Sequence, residues 1–226
     1  MRFASMLFLI LTFAAMGCAQ QPWPQEKPGQ REQPVTNEDG GQSYLVLSTT
    51  VSLRGILKPG DDTIDDLQQH SIFLGNGWSD PAVRAREARL RNLLSNIREQ
   101  AQFDEISRAG ITNFNAPTSN VEKLDIIGDR KIADLEIQSI LSQIIKDGPE
   151  PNAGSIYMIF LDPTLHSTLG PLVADKHFLA YHAFLNLGGV RVHYAVVPYQ
   201  PKFETAYQVA LRTLVVAALH SEDQPH

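Results

Sequence analysis

The chain has 226 residues, 43% of them hydrophobic, which is enough for one sizeable core and too few for several ordinary domains. Its formal net charge of -6 excludes the general basic field that nucleic acid selects, so no nucleic-acid partner is expected. The single cysteine excludes a disulfide framework, and core packing alone must hold the fold.

The first eighteen residues read as a signal peptide: Arg2, an apolar run from Phe3 to about Ala15, then small residues. The run is too short for an ordinary membrane span. Cys18 stands where the run stops and follows Gly17, as in a bacterial lipoprotein signal whose cysteine takes the lipid. On this reading the protein is exported to the cell envelope and meets the membrane through a lipid anchor at Cys18. Cleavage after Gly17 or Ala19 to give a simple secreted protein is the alternative. Residues 19–42 are rich in Pro, Gln, Glu and Gly and read as a disordered tether. Residues 43–226 are expected to form a single α/β domain.

Ser43 to Lys58 is β-rich and is interrupted by Gly55. Asp61, Asp62, Asp65 and Asp66 follow, without the spacing or internal glycine of an EF-hand, and fit the flanks of a short helix better than a calcium loop. His70 to Gly75 predicts a strand and Asn76-Gly77 a turn. Asp80 and Pro81 predict a helix start, with Val83, Leu90, Leu94 and Ile97 as its core stripe. Arg84, Arg91 and Arg98 recur every seven residues beside that stripe; they suit either an anionic ligand or a solvated face. A helix near Gln100 to Ala109 should end at Gly110, and Ile111 to Asn120 reads as loop before a strand in VEKLDII. Asp134 is a plausible N-cap for a helix with a stripe of Ile137, Ile140, Leu141, Ile144 and Ile145.

Ser155 to Leu161 is nearly all apolar, as in a strand covered on both faces, and His166 to Asp175 reads as a loop. A hairpin comes next. With Gly188-Gly189 as a two-residue turn, Leu187 pairs with Val190, Phe184 with His193 and His182 with Ala195. Ala183, Leu185, Leu187, Val190, Val192, Tyr194 and Val196 then face one way, and His182, Phe184, Asn186, Arg191 and His193 the other. The last helix, from about Phe203 to His220, is apolar nearly all round toward its end. The whole predicts an α/β fold: a mixed β-sheet packed by about four helices.

The order of a DPAVRAREARLRNLLSNI helix, ADLEIQSILSQIIKDGPEPNAGSIYMIFLDP, FLAYH and HYAVVPY resembles the EXORDIUM (phosphate-induced protein) family of secreted proteins, over roughly residues 70–199. That resemblance implies an extracellular role and a zincin-like three-layer arrangement, in which a His-Glu pair on the helix after the VPY-like strand serves a zinc site. In this chain His220 is followed by Ser221, Glu222 comes one place late, and the sequence ends at His226 before further ligands. A site degenerate at its C-terminal end is therefore expected.

Two functions follow. The first is a secreted or lipid-anchored envelope protein, not an enzyme, binding an extracellular ligand or partner through His182, Asn186, Arg191 and His193 and needing no cofactor. The second is a zinc-dependent hydrolase with His182, His193 and His220 as metal ligands and Glu222 as base, although no HExxH is present. Each histidine also has the plain reading of a satisfied structural residue. A G-x-S-x-G elbow and the glycine patterns of nucleotide sites do not occur.

Overall fold

The computed structural model describes residues 33–36, 42–46, 63–100, 103–108, 110–122, 129–148 and 150–219. The signal peptide, Cys18, most of the tether, residues 123–127 of the strand expected in VEKLDII, the candidate metal ligand His220 and the candidate base Glu222 lie outside these residues.

Ten strands and four α-helices are arranged in chain order as β1 (Gln33–Thr36), β2 (Gln42–Val46), β3 (Asp66–Leu74), α1 (Pro81–Ser95), α2 (Phe103–Arg108), β4 (Asn113–Glu122), β5 (Arg130–Ala133), α3 (Asp134–Asp147), β6 (Ser155–Leu161), β7 (Leu165–Leu169), β8 (Leu172–Val173), β9 (Ala180–Leu187), β10 (Val190–Val197) and α4 (Phe203–Leu219). The main sheet runs β1-β2-β9-β10-β6-β3-β4, and β5, β7 and β8 form a small second sheet. Within the main sheet β4, β3, β6 and β10 are parallel, while β9, β2 and β1 extend it in antiparallel fashion. This is the mixed α/β sheet with helices on it that the sequence predicts, laid out in three layers.

One core lies between the sheet and α1, α2 and α4, built on Phe73, Leu90, Leu94, Ile106, Met158 and Leu214. The other lies between the opposite face and α3 with the small sheet, built on Ile72, Ile132, Ile137, Leu141, Ile159 and Val196. β6 is buried at every position, as its unbroken apolar run requires of a central strand covered on both sides. α1 starts as expected, with the Asp80 carboxylate accepting from the Ala82 N–H at 2.8 Å and Pro81 in the first turn. Ile137, Leu141 and Ile145, spaced by four, bury the inner face of α3, with Ile140 and Ile144 packed beside them. α4 is buried from Ala206 to Leu219 except at Gln208.

The β9–β10 hairpin has the expected register, with Leu187 opposite Val190, Phe184 opposite His193 and His182 opposite Ala195. Gly188 and Gly189 take φ of 61° and 86°, the left-handed pair that a tight hairpin turn demands.

Elsewhere the chain departs from its local signals. Gln33–Thr36, inside the stretch read as tether, is a strand paired with β2. No helix follows the aspartates, since Asp65 stands just before β3 and Asp66 is its first residue; Asp61 and Asp62 lie outside the described residues. The polar stretch after Ile111 is not a loop but edge strand β4. An edge strand needs few buried residues, so Phe114 carries the apolar anchoring while Asn113, Asn115, Pro117 and Asn120 stay exposed. Pro117 falls at the register shift between Gln68 and His70, where its missing N–H costs nothing to the ladder. The presumed loop from His166 to Asp175 contains β7 and β8. Asp134 is not the cap of α3 but its first residue, after Ala133.

Candidate functional site at the carboxyl edge of the sheet

Taken in chain order, the parallel strands β3, β4, β6 and β10 stand in the spatial order second, first, third, fourth. α1 leaves β3 on one face, and α3 enters β6 from the other. The winding therefore reverses between β3 and β6, and a crevice outside their carboxyl ends is where such sheets take small ligands.

Here that crevice is filled by the protein itself. β3 ends in Gly75-Asn76-Gly77-Trp78, a glycine-bearing turn leading into a short 3-10 turn. The Trp78 indole is buried, and its N–H is shared between the carbonyls of Leu74, the last residue of β3, and Phe160, the last but one of β6, each at 3.2 Å. Its ring packs edge-on against Phe73. Asp162, the first residue after β6, is wholly buried, and its carboxylate accepts from the Gly77 N–H and from both the N–H and hydroxyl of Thr164. An anion held by the amides of a glycine turn is the usual way a phosphate is bound. In this chain the anion is Asp162. The glycines are required by it: Gly75 has φ 117°, and a Cβ there would run into the Asp162 carboxyl.

Beside this closed crevice, strand β7, the segment before β9 and the segment after β10 bring His166, Asp175 and Gln200 together. Asp175 has φ 63°, the one non-glycine residue with positive φ among the described residues, and aspartate tolerates that conformation better than most side chains. Partial burial pushes its carboxyl above the ordinary value, while the nearby His166 and a long hydrogen bond of 3.5 Å from buried Gln200 pull it back. Gln200 is itself fixed from behind. Arg86 of α1 donates to the carbonyls of Gln200 and Pro201 and lies 4.7 Å from the centre of the Tyr199 ring. His166 and Asp175 both keep exposed faces. The Asp175 carboxyl, raised by burial but still an acceptor, and the exposed His166 imidazole beside it can each make a hydrogen bond to a polar group brought to this edge.

The residues singled out from the sequence fall elsewhere. His182, Asn186, Arg191 and His193 do share one side of the hairpin, but they do not make one open surface. That side faces the α4 core. His182 and His193 are buried beneath the helix, Asn186 is exposed near the turn, and Arg191 is half-buried with its guanidinium 4.5 Å from the centre of the Phe184 ring. Polar residue types at alternate positions suggest a wet face, and helix coverage overrides that suggestion. Burial, followed by the charges of Arg191 and His182, lowers the His193 pKa to about 4, so it is neutral near pH 7. As a zinc site, the pair has no third imidazole or carboxylate beside it among the described residues, where no group of three or more His, Cys, Asp or Glu converges.

Two groups on the opposite face were not visible in the sequence as partners. Asp134 is buried at the start of α3 and accepts from the Tyr181 hydroxyl at 2.7 Å, from the Tyr194 hydroxyl at 2.9 Å and from the Gln138 amide at 2.8 Å. Tyr181 is fully buried, and burial together with the Asp134 charge holds its hydroxyl protonated far above the usual range. This joint pins α3 to the main sheet. His70 stacks on Tyr157 across β3 and β6, 4.7 Å between ring centres, and burial lowers its pKa. No family model, no curated protein and no solved structure matches the chain.

Proposed function

We propose that this is an exported, non-catalytic binding protein of the cell envelope, anchored by a lipid on Cys18, that engages a polar partner at the carboxyl edge of its sheet. The observation that carries the non-catalytic reading is the filled crevice between β3 and β6. Trp78 and Asp162 occupy the place where a substrate or phosphate would sit, and both are tied by hydrogen bonds within the fold. Binding is then left to the exposed groups beside it, His166 and Asp175; the Asp175 carboxyl accepts from the Gln200 side chain, and the Gln200 carbonyl in turn accepts from Arg86. An extracellular role is also what the resemblance to the EXORDIUM family implies.

The anchor is tested by growing cells with a radiolabelled fatty acid. Label should enter the protein and disappear with Cys18→Ser, and the substituted chain should leave the membrane fraction. The binding edge is tested by placing a photo-crosslinking residue at Lys176, beside Asp175, in the intact envelope. A discrete adduct lost with His166→Ala or Asp175→Asn supports the reading. The same adducts from a crosslinker at Asn186, on the far end of the hairpin, would count against it.

A further inference from the structure

α1 is the most basic element of an acidic chain. Residues 80–99 hold five arginines and three acids in a protein whose net charge is -6. The structure separates these arginines by task. Arg86 is turned to the carbonyls of Gln200 and Pro201. Arg84, Arg89, Arg91 and Arg98 are exposed. Arg89 stacks on Phe203, 3.9 Å from the ring centre, which fixes its position and leaves its charge in place.

The acids are withdrawn from this face or sit at its ends. Glu87 is buried and meets Arg91 at 3.4 Å, so it compensates part of one charge. Asp80 is occupied as the helix cap, and Glu99 closes the 3-10 turn after the helix. Along the outer ridge of α1 the order is Arg84, Ala88, Arg91, Ser95, all exposed. Residues seven apart share a face about 10.5 Å from one another, and the short side chains between them let both guanidinium groups reach a flat surface together. Cations carried past short neighbours suit a plane of anions better than a pocketed ligand.

We infer that this ridge docks the domain on anionic phospholipid headgroups of the membrane that carries its anchor. The inference rests on the anchored reading above for its location, and for its chemistry on Arg84 and Arg91 of the ridge with exposed Arg98 in the 3-10 turn just past the helix end. Reach permits it. Residues 19–32, between Cys18 and β1, extend to at most roughly 50 Å, while seven strands span about 29 Å, so α1 at the far side of the sheet is within the tether's length.

The test uses the full chain and sedimentation with two kinds of vesicle, phosphatidylcholine alone and phosphatidylcholine with a third of phosphatidylglycerol, at low and at 0.5 M salt. The apolar contribution of an acyl chain is common to both vesicles, and the charge contribution of Arg2 in the leader is common to the parent and the triple variant. The expected excess on the anionic vesicles at low salt is about tenfold for three arginines at a partly screened surface, disappearing at high salt. The triple variant Arg84→Gln, Arg91→Gln, Arg98→Gln should lose most of that excess while keeping the parent's circular dichroism and melting temperature. No anionic excess, or an excess unchanged in the triple variant, overturns the inference. So does Arg-dependent capture by a soluble polyanion such as heparin with none by vesicles. An excess that persists while Cys18 takes no lipid would sink the anchor and leave the ridge as a membrane contact.

Discussion

The Trp78 indole donates its N–H to the Phe160 carbonyl, eighty-two residues along the chain, at 3.2 Å. Because the same N–H also reaches Leu74, one side chain closes the ends of both β3 and β6 and takes the volume a ligand would need. Trp78→Phe should keep much of the packing but remove the indole donor from the Phe160 carbonyl and leave the Leu74 carbonyl with the Asp162 N–H alone, at a cost of about 1–2 kcal/mol. Trp78→Ala should cost roughly 3–5 kcal/mol, since it also opens a cavity beside Phe73 and Tyr199. Urea unfolding of the two variants checks the order; equal and negligible losses would mean that the crevice is not held shut by this residue.

Gly75 and Asp162 should be energetically coupled. Gly75→Ala forces a side chain onto the Asp162 carboxyl at a backbone angle that disfavours it, and a loss of roughly 2–4 kcal/mol is expected. Asp162→Ala strips an acceptor from Gly77 and Thr164, for a loss of about 2–3 kcal/mol. With the carboxyl gone, alanine at position 75 meets less. The double variant should thus be more stable than the sum of the single losses, by more than about 0.5 kcal/mol in a complete cycle.

These two sites mark the boundary of what local sequence could say. The hairpin register was legible because Gly188-Gly189 fixes it, and α1 was legible because Asp80 and Pro81 announce its start. Asn76-Gly77 was equally legible as a turn, yet nothing local says that Asp162 closes on it. That contact depends on β3 and β6 being parallel neighbours. The same limit applies to His182 and His193. Alternation places them correctly on one face, but whether that face is wet depends on where α4 lies. Edge strand β4 was missed because its single buried aromatic, Phe114, gives almost no period to read.

At the other face, Tyr181 and Tyr194 converge on one carboxylate. Tyr194→Phe should cost about 1–2 kcal/mol, and Asp134→Ala more, roughly 3 kcal/mol, because it removes the acceptor that both hydroxyls share. The discriminating measurement is the background dependence. Tyr194→Phe made in an Asp134→Ala chain should be nearly neutral, and a full additional loss there would show that the tyrosine acts through packing alone.

Burial of His193 gives the fold a defined sensitivity to acid. Its pKa is about 4 in the folded chain against about 6.5 unfolded, so between these values the unfolded state binds more protons than the folded one. Stability then rises with pH through this window: it is unaffected by this group above about pH 6.5 and falls progressively as pH drops toward 4. The whole effect is at most roughly 3 kcal/mol, reached when the folded-state imidazole also begins to protonate. His193→Gln should flatten that part of the profile. Urea midpoints measured from pH 7.5 to 4 for the parent and the variant provide the comparison, with carboxylate titration at the acid end common to both. If the parent loses no more stability than His193→Gln between pH 6.5 and 4.5, the imidazole is not held neutral beneath α4.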